Sequence, residues 1–329
     1  LVISLTLLYY LSKKIVRTGQ LLLLCNDSLT KTNLQMRAMK TSFLLVAIVL
    51  VFAGCQRDDD DGLQQDITQS EADAAAATVQ SLLLAQEAFS KGYDEVQIQA
   101  GQQSDLNGFT GEVPASPRSN CPAVTFTTDP DTFWPAILTL DYGDGCNDED
   151  NVGLSGRITA TFNGLLIGEN TQIGIAFDAF TVNNYALSGS FNVSNDGLDG
   201  QGRQSFSSQI IGGTFSQGGV VLLNYDQEAS SYQVAGQNTN FFTNGFEGIF
   251  DDVFEETIMA NGTGVAGNPF SITTETPLVD PLNCRWDVSG RLVYTLSTLP
   301  VPAILDFGDG TCDNDATLII GAFSYPIEL

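Results

Sequence analysis

The chain has 329 residues, with 39 acidic against 13 basic side chains and no histidine, a net charge near −26 at pH 7. Such a surface repels nucleic acid and anionic head groups, and nucleic-acid binding is excluded on that ground. The missing imidazole removes Ser-His-Asp and Cys-His catalysis in their usual forms, together with the commonest zinc ligand.

Residues 1–35 include the apolar runs LVISLTLLYYL and LLLLC, begin with leucine and contain no methionine. The expectation is a start assigned too early, so that residues 1–38 are not made; the rival is a second apolar anchor. Met36-Arg37-Ala38-Met39-Lys40 is basic, Phe43 to Phe52 (FLLVAIVLVF) is apolar, and Ala53-Gly54-Cys55 follows. A basic region, a short apolar core and small residues make a secretory signal peptide over 39–54. The apolar run is about half the ~20 residues that cross a bilayer as a helix.

FAGC resembles the lipobox of bacterial lipoproteins. By that resemblance Cys55 is the first mature residue and carries a diacylglyceryl group and an N-acyl chain, so the membrane is the first partner. Three acyl chains anchor stably where one does not. Gln56 stands where an aspartate favours inner-membrane retention, and Asp58 to Asp61 resembles the surface-export signal of some Gram-negative lipoproteins. The implied location is the outer membrane, facing the exterior, with the periplasmic face as the alternative. A run of like charges also serves as a solvated tether. Six of the 13 basic residues but only one of the 39 acids precede Cys55, which leaves 7 and 38, a net charge near −31.

Residues 55–69 read as an acidic tether. A helix is expected over 70–92, opened by Ser70-Glu71-Ala72-Asp73 in the manner of a capping box. Ala75, Ala76, Val79, Leu82, Leu83 and Phe89 follow at helical spacing, and Gly92 is the stop. Residues 93–120, with Gly101, Gly108, Gly111, Pro114 and Pro117, read as a loop.

From 121 to 329 the pattern has period two. Ile158, Ala160 and Phe162 alternate with polar residues; so do Ile173, Ile175 and Phe177, then Leu187, Phe191 and Val193, then Val288, Leu292 and Tyr294. Asn163-Gly164, Asn195-Asp196-Gly197, Asn244-Gly245 and Asn261-Gly262 supply turn chemistry. The expected fold is mainly β: roughly a dozen strands in one large antiparallel, strongly curved meander sheet or partly closed barrel, with a single N-terminal helix. A β-sandwich is the alternative. Leu154-Ser155-Gly156, Leu187-Ser188-Gly189 and Val288-Ser289-Gly290 form a small repeat, whose glycines permit close backbone approach and a bend.

LDYGDGC at 140–146 returns as LDFGDGTC at 305–312. Asp141, Asp144, Asp148, Glu149 and Asp150 in the first copy, and Asp306, Asp309, Asp313 and Asp315 in the second, are candidate calcium ligands. The EF-hand spacing fails, because Gly143 and Gly145 occupy positions 3 and 5 counted from Asp141. The phrase also resembles the core of PKD repeats, but Leu305 replaces the tryptophan, a later histidine is missing, and 19 residues after Gly310 are too few for such a domain. The preferred reading is a pair of disulfide-closed turns. Cys121, Cys146, Cys284 and Cys312 are an even set in an exported chain, which an oxidising compartment pairs in one of three ways. The like spacings from Cys121 to Cys146 and from Cys284 to Cys312 suggest two equivalent local bridges.

The order of these features is acyl-cysteine and helix, Cys-Pro-x-Val-Thr, DYGDGC, GRITATFNG, a central meander, Cys-Arg-Trp-x-Val-Ser-Gly, and DFGDGTCDNDAT with a closing hairpin. It resembles a group of uncharacterised Gram-negative lipoproteins over nearly all of 55–329. The resemblance implies the architecture and no activity. The expected function is that of a non-catalytic, lipid-anchored envelope lipoprotein, structural or binding an unknown protein or glycan partner. One alternative is a carrier of an apolar ligand or lipid, for which Phe241, Phe242, Phe246, Phe250 and Phe254 would line a cavity. Another is a calcium-stabilised adhesion or glycan-binding module, calcium being the single cofactor considered. An enzyme is not expected. It would need a carboxylate pair, drawn from Asp251, Asp252, Glu255 and Glu256 or from Asp178, Glu247 and Glu275.

Overall fold

The computed structural model describes residues 67–107, 121–148, 151–166, 168–239 and 251–329. The signal segment, the lipobox with Cys55 and most of the tether lie outside the described residues.

Helix α1 (Gln69–Gly101) is capped by Thr68, whose hydroxyl accepts from the Glu71 N–H while the Glu71 carboxylate accepts from the Thr68 N–H at 2.8 Å. The capping box therefore sits two residues ahead of the expected Ser70. The helix lies before the strands, at 69–101 rather than at the N-terminus of the chain. It also runs nine residues past Gly92, and a loop does not begin at 93. The reason is packing: a Cβ on Gly92 would stand 2.7 Å from the Phe177 ring, so the glycine admits an aromatic side chain instead of ending the helix. A one-turn helix, α2 (Ser104–Asn107), follows.

Thirteen strands among the described residues form one antiparallel meander in sequence order. They are β1 (Ala123–Asp129), β2 (Phe133–Asn147), β3 (Gly153–Phe162), β4 (Gln172–Val182), β5 (Tyr185–Leu198), β6 (Gln204–Gln217) and β7 (Val220–Ala235). There follow β8 (Val253–Thr263), β9 (Pro269–Pro281), β10 (Ser289–Leu296), β11 (Ala303–Asp309), β12 (Asp315–Ile320) and β13 (Phe323–Glu328). All belong to a single hydrogen-bonded order, which overturns the two-sheet sandwich, and β1 and β13 remain as two edges, so the sheet is not closed. Pro326 is tolerated on β13 because an edge strand needs only one row of hydrogen bonds.

Alternation sets the core. Ile158, Ala160 and Phe162 on β3, Ile173 and Ile175 on β4, and Leu292 and Tyr294 on β10 point to one face and join the apolar side of α1 in one cluster. Along α1 every residue from Glu95 to Gly101 is buried. Asn261-Gly262, expected in a turn, lies within β8, where a Cβ on Gly262 would meet the Asn224 carbonyl of β7 at 2.0 Å. The repeated Ser-Gly glycines sit at register shifts with positive φ: Gly156 at 79°, Gly189 at 100° and Gly290 at 115°. A Cβ on Gly156 would stand 2.1 Å from the Ala179 carbonyl, so these positions are bulges where neighbouring backbone closes in.

Because the strands alternate in direction, their connections fall into two sets. The β2–β3, β4–β5, β6–β7, β8–β9, β10–β11 and β12–β13 connections share one end of the sheet. Ile67, just ahead of α1, packs there on the β12–β13 turn, 3.2 Å from where a Cβ on Gly321 would lie. That end is called proximal and the other distal.

Candidate functional site

The two repeated phrases occupy opposite ends. Cys121 and Cys146 are bonded at the proximal end, tying the start of β1 to the end of β2, with a Cα separation of 6.5 Å. Cys284 and Cys312 are bonded at the distal end, tying the β9–β10 connection to the β11–β12 connection, at 5.7 Å. The expected pairing is the observed one.

Each phrase is built with an arginine from the Ser-Gly-Arg repeat on the adjacent strand. Arg157 on β3 meets Asp141 on β2 at 2.8 Å, and Arg291 on β10 meets Asp306 on β11 at 2.7 Å. In both, the other aspartate oxygen accepts from a glycine N–H two residues on, Gly143 or Gly308. The unit is thus used twice with strand order reversed, DYGD before SGR in the first copy and after it in the second. Hydrogen bonds from Arg157 and from Gly143 hold Asp141 below the ordinary carboxylate range.

The candidate calcium ligands do not converge. Asp141 and Asp306 are engaged by arginine; Asp309 accepts from the N–H and hydroxyl of Thr311; Asp313 accepts from the Asp315 N–H; Asp148 pairs with Lys91; Asp144 is exposed. Glu149 and Asp150 lie outside the described residues. Among the described residues no group of three or more such side chains could hold a metal ion.

The candidate carboxylate pairs are divided likewise. Asp178 lies 3.6 Å from Arg157 and Glu275 lies 3.9 Å from Arg291, both well exposed. Glu255 and Glu256 alternate across β8, and Glu256 is buried. Asp252 is 5% exposed, accepts from Gln233 at 2.9 Å, and is raised to about 7 by burial and by Asp251. Asp287 is raised by burial and then by Asp280 and Glu256, so the distal end gathers like charges. Glu247 and four of the five candidate cavity phenylalanines lie outside the described residues, whereas Phe254 is core.

A polar cluster on α1 is the feature that sequence reasoning missed. Glu95 is fully buried; the Lys91 ammonium lies 3.1 Å from it and 2.5 Å from Asp148, and the Tyr142 hydroxyl donates to the other Glu95 oxygen at 2.7 Å. Burial pulls Lys91 down, but Glu95, Asp148 and Asp94 outweigh it and hold the ammonium above its ordinary value. The cluster latches α1 to β2 and to the β2–β3 connection. The i,i+4 spacing of Lys91 and Glu95 was the available signal, obscured by reading Gly92 as a helix stop. No family model, curated protein or solved structure matches the chain.

Proposed function

We propose that the chain is an acyl-anchored lipoprotein of the Gram-negative envelope, and that its β body is non-catalytic, structural or partner-binding. The observation that carries this reading is Phe52-Ala53-Gly54-Cys55 behind a basic and then apolar segment. Two disulfides within the body support it, since such bonds persist in oxidising compartments. In this reading lipid on Cys55 supplies the attachment; no described helix is long and apolar enough to cross a membrane. Asp58 to Asp61 favours the outer membrane and its external face.

In this reading the sheet is strongly curved around α1. The Phe89 ring lies within 5.6 Å of both Phe177 on β4 and Tyr225 on β7. In a flat sheet those strands would stand about 14 Å apart. A helix contacting β2 to β5 as well as β11 to β13 argues the same way. With α1 filling the concave face, a passive body fits better than a carrier.

Expression of the full chain and of Cys55→Ser in a Gram-negative host tests the proposal. The native protein is expected in the membrane fraction with acyl mass on Cys55 and cleaved by protease added to intact cells, and the variant is expected in the soluble fraction. Equal partitioning of the two would refute the anchor, and protease resistance on intact cells would move the protein to the periplasmic face.

A further inference from the structure

Charge is placed differently in the connections at the two ends of the sheet. Every distal connection or its flanking strand end carries an acid: Asp131, Glu169, Asp199, Asp252, Asp287 and Asp313. At the proximal end five consecutive connections carry no charged residue at all. They are Asn183-Asn184, Gly218-Gly219, residues 264–268, residues 297–302 and Gly321-Ala322. In place of charge this end displays Val220 and Val265, each 61% exposed, and Val221 at 47%. Exposed apolar residues at the distal end, such as Leu165 and Leu198, share their turns with Glu169, Asp196 and Asp199. The acids of the proximal end lie at its two flanks: Asp144, Asp148, Glu149 and Asp150 at the β2–β3 connection, four strands away from β6–β7, and Glu71 and Asp73 in the first turns of α1 beside β13.

The chain enters the body at this same end. Ile67 rests on the β12–β13 turn, and 11 residues separate it from Cys55. At ~3.5 Å per residue they reach at most about 40 Å, which keeps the body close to whatever holds Cys55 and makes weak contacts effective. We infer that the proximal end rests on the lipid surface, with Val220, Val221 and Val265 entering the interfacial layer. The acidic distal end then points away from the bilayer, presenting the Cys284–Cys312 turns to the surroundings. The inference rests on the lipid-anchor reading. It adds an orientation: the body sits on the membrane by its uncharged end and does not swing freely on its tether.

The test uses the full-length protein in phosphatidylcholine vesicles with and without brominated acyl chains. Trp134 and Trp286 both lie at the distal end, so native emission should be unaffected by bromine. Val265→Trp and Val221→Trp add a proximal reporter at exposed positions. That added emission is expected to shift to the blue on vesicle binding and to fall about twofold with brominated lipid, as for side chains buried at the acyl boundary. If the variants float with vesicles yet quench no more than the native protein, the orientation is wrong and the anchor stands. If the native protein neither floats nor carries acyl mass on Cys55, the anchor reading fails and takes this inference with it.

Discussion

At the scale of single residues, Lys91 is where the chain is most exposed to error. It is the cation between Glu95 and Asp148, and both carboxylates are buried. Removing one member of a buried ion cluster strands the others, typically at a cost of about 3–5 kcal/mol. Lys91→Met should therefore destabilise the protein by about 3 kcal/mol at pH 7 in urea titrations. The deficit should shrink near pH 4, where the stranded carboxylates take up protons. The Lys91 pKa is raised on folding, so its contribution is complete below the unfolded value of 10.5 and disappears only as pH climbs through the folded one. A deficit independent of pH would assign Lys91 a packing role through its stem alone. Glycines divide the same way between freedom and space. Gly92 gives room to Phe177, whereas Gly156 and Gly290 combine positive φ with backbone contact that no side chain could share.

At the scale of elements, the disulfides make different demands. Cys121–Cys146 ties edge strand β1 to its neighbour, and Cys284–Cys312 joins two distal connections across β10 and β11. Loops of 25 and 28 residues are each worth about 3 kcal/mol in the chain-entropy picture. Replacing Cys121 and Cys146 by serine should lower stability by about that amount and raise amide exchange over Ala123–Asp129, leaving β6 and β7 protected. Uniformly faster exchange across the sheet would mean that β1 is integral to the cooperative core. Both bridges were legible because the two approaches to cysteine share wording and spacing. Strands such as β3 and β4 were legible because one apolar face alternates with a wetter one. The far third of α1 was not, since Tyr93-Asp94-Glu95-Val96-Gln97 looks like loop until its surroundings are known. A polar residue declares its burial only through partners distant in sequence, here Tyr142 and Asp148. The Ser-Gly repeat announced close backbone approach and a bend, but not its source: the carbonyl that presses on Gly156 comes from Ala179.

At the scale of the whole molecule, the response to pH follows from two opposed groups of acids. Asp252, at about 7, and Asp287 are raised by burial and by neighbouring acids, so the folded state holds their protons more tightly than the unfolded state does. Their contribution is complete below the unfolded carboxylate values and is lost as pH rises toward 7 and beyond. Asp141, Asp129, Asp199 and Asp309 are lowered by hydrogen bonds and, for Asp141 and Asp199, by arginine. Their contribution is present above the ordinary carboxylate range and is lost as pH falls through it. Between these limits, the net charge of −26 adds a repulsion that weakens as acids are protonated or as salt screens them. Calorimetry from pH 3 to 9 should therefore show Tm highest at mildly acidic pH, falling on both sides. At pH 8 added salt should raise Tm. Asp252→Asn should stabilise the protein by about 2 kcal/mol at pH 8 and leave it unchanged near pH 4. Asparagine keeps the acceptor for Gln233, so the variant removes charge without removing the hydrogen bond. A Tm that climbs steadily to pH 9 would mean that the lowered acids outweigh the buried ones, and that the distal acids are not the strained part of this sheet.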